Sequence, residues 1–135
     1  MSVPERKSAA ASGAPNRAWM AAGAAWLVPG LGHLLVGRRA RAVLFSALVL
    51  GTLAIGLALE GNLYRVLPDQ PLTLLGTFAS MGIGAVYFVI RFAAGYQGDP
   101  VAASFEYGTA FVITAGLMNL LLVLDAWDIA CGRKE

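Results

Sequence analysis

Apolar residues fall in four long runs, Ala18 to Val36, Ala42 to Leu59, Leu72 to Ile90 and Tyr107 to Leu124, and the charges lie between them or beyond the first and last. Each run is close to the roughly 20 residues that an α-helix needs to cross the hydrocarbon core of a bilayer. Val43-Leu44-Phe45 and Leu120-Leu121-Leu122-Val123-Leu124 are continuous apolar stretches, without the two-residue alternation of barrel strands. Because only helices and closed barrels satisfy every backbone polar group in lipid, the pattern predicts an all-α integral membrane bundle, with four transmembrane helices. Turn-forming clusters separate the segments. They are Gly37-Arg38-Arg39-Ala40-Arg41, then Glu60-Gly61-Asn62 through Pro68-Asp69-Gln70-Pro71, then Gly95-Tyr96-Gln97-Gly98-Asp99-Pro100.

The first segment is the least regular, since Pro29 removes a backbone donor and Gly30 and Gly32 add freedom. It is expected to kink at Pro29-Gly30 or to dip into the membrane and return. Four full spans with a cytoplasmic amino end put six Lys and Arg inside (Arg6, Lys7, Arg17, Arg65, Arg133, Lys134) against four outside (Arg38, Arg39, Arg41, Arg91). A re-entrant first segment puts seven inside (Arg6, Lys7, Arg17, Arg38, Arg39, Arg41, Arg91) against three, in better accord with the positive-inside rule. Segment length favours four spans and takes precedence as the stronger helix signal.

Residues 1–17, rich in Ser, Ala, Pro and Gly with Arg6 and Lys7, have the composition of a disordered tail. A secretory signal is the competing reading, but the apolar run continues to Val36 without a small-residue cleavage site, which favours a retained signal anchor. Residues 18–128 form the expected membrane domain and 129–135 a short polar tail. Of 135 residues, 58% are hydrophobic and 13% charged, against about 25% charged in soluble domains. The net charge of +2 comes from ten scattered Lys and Arg, with no basic and aromatic stripe, so nucleic acid is not an expected partner. Cys131 is alone, which excludes an intrachain disulfide.

Gly76, Ser80 and Gly84 recur at four-residue spacing, and Ala47 and Gly51 repeat that pattern, as do Ala21 and Ala25. Small-residue stripes let helices approach closely, within one bundle or between copies. His33, the only histidine, lies in an apolar segment and needs a polar partner there. No second His, Cys pair or nearby acid accompanies it, so bonding to backbone groups freed by Pro29 is preferred over a metal, haem or relay role. Asn119, central in the last run, is expected to hydrogen-bond between helices.

The carboxylates fall at segment ends or in loops, which weakens a proton-coupled carrier. Asp125 and Asp128 flank Trp127, and interface anchoring outweighs acid and base catalysis there. Ser80 with His33 makes a poor hydrolase, since Phe78-Ala79-Ser80-Met81-Gly82 lacks the first glycine of a nucleophile elbow. No catalytic residue, cofactor or metal site is expected.

Pro29-Gly30-Leu31-Gly32-His33-Leu34-Leu35-Val36-Gly37-Arg38, followed by an apolar helix near Ala42, resembles the helix, Gly-rich turn, helix core of TM2-domain-like proteins. The ending Leu124 to Ala130 is similar to that of small uncharacterised bacterial membrane proteins. The resemblance covers about a third of the chain plus that ending. Leu34 and Leu35 stand where TM2-like sequences usually carry aromatics, and those proteins often have only two spans. It implies a membrane hairpin in the bacterial inner membrane, with no established chemistry. The leading expectation is a non-enzymatic membrane protein that acts through helix packing, as a homo-oligomer or a small subunit of a larger assembly, with the lipid bilayer as its surroundings. The second is a small carrier or channel with Thr77, Ser80, Tyr87, Thr114 and Asn119 along a polar path.

Overall fold

The structure is a computed structural model that describes residues 6–65 and 67–133. Helix α1 is Arg6–Leu27, α2 Leu31–Leu35, α3 Arg39–Ala58, α4 Pro71–Met81, α5 Ala85–Phe88 with a π-helical continuation Val89–Ala93, and α6 Phe105–Ala130. The described residues contain no strand. Helix α1 starts well before Ala18, so the expected tail is helical from Arg6 to Arg17. Ala9, Ala10, Ala11 and Ala14, of the highest intrinsic helix propensity, help explain the difference. The first five and last two residues of the expected tails lie outside the described residues.

Two of the four expected spans are continuous: α3 and α6 are long and apolar enough to cross a membrane. Only 22% and 33% of their most apolar windows are buried, so most of that surface faces outward. Leu44, Leu121 and Leu124 are among the exposed side chains, a distribution suited to lipid tails as solvent.

The other two segments are broken, the first where a kink or return at Pro29-Gly30 was expected and the third where an unbroken helix was expected. The first stops at Leu27, because Pro29 cannot continue the ladder and Gly30 turns with φ +84°. The chain then runs back along α1. A β-carbon on Gly32 would meet the Ala21 carbonyl and the Ala25 side chain, and Leu35 and Val36 lie beside Arg17 and Met20. The third breaks at Gly82 to Gly84, with Gly84 at φ +83°, and α4 and α5 are bent by 113°. It also returns, since Arg91 shares a small pocket with Thr73 and Tyr64. The Tyr96 hydroxyl then donates to the Gly61 carbonyl at 2.9 Å and to that of Leu57 at 3.2 Å, which brings the chain back to the end of α3.

Helix α6 is the central post. Gly56 of α3 sits against Gly108 and Val112, and Phe45 and Val49 lie beside Met118 and Leu122, so α3 runs antiparallel to α6. Helix α1 does too, with Trp19 edge-on to Trp127 at 4.7 Å and Trp26 at the level of Asn119. From the far end, α4 reaches Gly116 and Leu120 through Gly82. Two hairpins therefore enter from opposite ends of the bundle and meet beside the middle of α6.

The small residues divide accordingly. Gly76 packs under the Tyr64 ring, and a β-carbon on Gly84 would collide with the Trp26 carbonyl. Gly84 lies beyond the end of α4, so the expected stripe of Gly76, Ser80 and Gly84 is not one helix face. Its members pack inside the bundle. Ala47 and Gly51 are exposed, and nothing lies within 4 Å of a β-carbon on Gly51. Gly84→Leu forces both a left-handed backbone and a backbone collision, and a loss of at least about 1–3 kcal/mol is expected; Gly51→Leu leaves the monomer as stable as the wild type. Thermal unfolding in mild detergent compares the two, and a Gly84→Leu protein as stable as the wild type contradicts the packing at the break.

Candidate functional site: the meeting point of two helix breaks

A helix break releases peptide groups that lipid cannot bond, each at a cost of several kcal/mol by general estimates. Here side chains take up much of that task. The Ser46 hydroxyl donates to the Pro29 carbonyl at 2.5 Å, and the Trp26 indole N–H crosses to the Met81 carbonyl at 3.1 Å. Asn119, fully buried on α6, donates through Nδ2 to the Gly82 carbonyl at 2.7 Å and more distantly to that of Trp26 at 3.4 Å. One amide thus ties both tips to the central helix, the interhelical role expected of it. Asn119 Oδ1 and the Ser80 hydroxyl are buried without a hydrogen-bond partner.

Toward the other end of α6, His33 is fully buried, and its Nε2–H donates to Asp125 Oδ2 at 2.8 Å. Phe45 closes one side of the ring, edge-on with centroids 5.1 Å apart. Nδ1 has no partner. The expectation that His33 bonds to proline-freed backbone is corrected: Ser46 serves the Pro29 carbonyl, and the ring meets a carboxylate 92 positions away in sequence. Asp125, with 17% of its side chain exposed, also lines an open groove of ≈ 600 Å³, with Arg41 and Asp128 as its other charged groups and Phe45, Leu121, Leu122 and Leu124 as its apolar wall.

The expected polar path is not assembled as a line. Thr114 is exposed and bonds back to the Ala110 carbonyl at 2.7 Å, as Thr77 does to Thr73. The Tyr87 hydroxyl is spent on the Tyr64 carbonyl. Asn119 and Ser80 remain, both at the break level. His33 and Ser80 share no hydrogen bond, and no cluster of three or more His, Cys, Asp or Glu occurs among the described residues. Sequence reasoning missed the second break and the His33–Asp125 pair. A signal for the break was present, since Gly82-Ile83-Gly84 repeats the Gly30-Leu31-Gly32 pattern of the first.

The chain belongs to DUF6677, a family of unknown function, which it matches over residues 20–135. No curated protein and no solved structure matches it.

Asn119→Leu removes the donor shared by the two tips. It is expected to lower stability by about 0.6–1.7 kcal/mol, the range of membrane interhelical hydrogen bonds, and to speed hydrogen exchange at residues 26–30 and 82–84 while leaving α3 protected. Uniform exchange across all helices in that variant contradicts a local tether.

Proposed function

We propose that the protein is a small, non-enzymatic integral membrane protein that carries a small ion or polar solute at the junction of two re-entrant hairpins. The observation that carries this reading is the pair of helix breaks meeting tip to tip, with buried Asn119 bonded to both. Irregular backbone at membrane depth persists only where protein buries it or it lines a cavity, and discontinuous helices bring backbone carbonyls to midplane sites of the kind that bind ions. A protein that merely packs its helices gains nothing from two such interruptions. The carrier reading therefore moves ahead of the packing reading that composition favours.

Both hairpins re-entrant gives a definite orientation. The start of α1, the α2–α3 turn and the end of α6 share one side with Arg6, Lys7, Arg17, Arg38, Arg39, Arg41 and Arg133, seven cations against Arg65 and Arg91. That imbalance makes the first side cytoplasmic, and the likeness to bacterial TM2-like proteins supports a bacterial inner membrane. A specific observation favours self-association as a second property: Ala47, Gly51, Ala54 and Ala58 are exposed along α3, a small-residue face of the kind that admits a second helix closely.

Single cysteines in a Cys131→Ser background read the topology. Ala40→Cys is expected to label only from the cytoplasmic side, and Asp69→Cys and Gln97→Cys only from outside; four full spans exchange Ala40 and Asp69. Proteoliposomes loaded with proton-sensitive and alkali-cation-sensitive dyes test the function. Flux that falls at least about tenfold in Asn119→Leu is the expected result, and a wild-type protein that passes none of these ions or a small polar solute panel returns the packing reading to first place.

A further inference from the structure

We propose that His33 and Asp125 together form a proton-binding site, fed from the cytoplasmic groove, and that the proton is the ion the protein carries; the second clause rests on the carrier reading, the first on geometry alone. The ring is fully buried and the carboxylate partly exposed, 2.8 Å apart. Ionisable groups inside membrane segments are costly and are kept for function. With a neutral ring and an ionised carboxylate the pair has a net charge of −1, and one proton brings it to zero.

The proton passes from a hydronium at the polar wall of the groove, where Arg41, Asp125 and Asp128 lie, to the pair, where an O–H bond forms on Asp125 as one O–H bond of the hydronium breaks and leaves water. The bare Nδ1 of His33 offers a second place for it, so the proton belongs to the pair and not to either residue. Charged groups near the pair include Arg41 of α3 and Asp128 of α6 in the groove, and Arg17 of α1 lies beside the end of α2. Arg41 offsets the negative state of the pair, and Asp128 favours proton uptake.

His33 sits on the returning limb of the first hairpin, and Asp125 lies six residues beyond Asn119 on α6. One straight helix therefore holds both the tip of that hairpin, through Asn119, and its limb, through Asp125. Proton uptake replaces an ion–dipole contact by a neutral or zwitterionic pair, and so alters how firmly the limb is held while the tip stays tied.

Because His33 is the only histidine, nitrogen-15 NMR of imidazole-labelled full-length protein in detergent reports this ring alone. The wild-type ring resonances are expected to follow pH with one midpoint. Asp125→Asn is expected to move that midpoint down by about one pH unit or more, as loss of a close opposite charge does, and Arg41→Gln to move it up. Arg41→Gln supplies the reading if Asp125→Asn does not fold. Resonances that ignore pH across the folded range, or a midpoint indifferent to both substitutions, overturn the proton site. Proton uptake by valinomycin-polarised vesicles is measured alongside, with His33→Gln expected to reduce it at least about tenfold. Titration without flux keeps the site and removes carriage; flux of another ion with a silent ring removes the proton and keeps the carrier.

Discussion

Every peptide group released inside a membrane must find a partner in the protein itself, and that constraint organises this fold. The first break frees the carbonyls near Pro29, and the second those near Gly82. Ser46, Trp26 and Asn119 answer them with side-chain donors drawn from three helices. Those donors also fix where the hairpins stop. Asn119 serves the two tips only if both end at its level on α6, so the depth of each hairpin follows from one amide.

Close approach supplies the rest of the attachment. Lipid tails are as apolar as leucine, so helix association in a membrane depends on packing and hydrogen bonds more than on hydrophobic burial. The contacts between α6 and its neighbours accordingly run through backbone at Gly108 and Gly116. Many residues of greater bulk face outward, Tyr64 braces Gly76, and Val49, Leu53, Leu63, Ile83 and Val112 fill a small buried cluster. Outside the apolar zone, burial and the nearby Glu60 carboxylate raise the pKa of Tyr96 above its usual 10.0. The neutral phenol that donates to two carbonyls at the end of α3 is thereby preserved, and its contribution fades only as pH climbs through that raised value.

Much of this was legible in the chain. Apolar runs located α3 and α6 within a few residues, Pro29 and Gly30 marked the first break, and a mid-span amide pointed to Asn119 as an interhelical donor. Run length misled at Leu72 to Ile90, because hydropathy counts residues and is blind to backbone direction. Two glycines two residues apart leave the run apolar yet let the chain reverse. The small-residue stripe failed for the same reason, since a face periodicity has meaning only while the helix continues. His33 was read as lacking an acid nearby in sequence and Asp125 as part of an interface anchor with Trp127 and Asp128; their pairing is a product of the first hairpin's return and α6's direction, which no local pattern encodes.

The counted charges gain force once both breaks are treated alike. One re-entrant hairpin gave seven cations against three, four spans six against four. Neither arrangement explains why the turn Gly37 to Arg41 holds three arginines while the long connections at the other end hold Glu60, Asp69, Asp99 and Glu106. With two opposed hairpins the basic turn, the start of α1 and the end of α6 fall together, and the acidic connections fall opposite. The groove beside Asp125 then opens on the basic side, with Arg41 on its wall, so the carboxylate that meets the buried His33 ring belongs to the same end of the bundle as the basic turn.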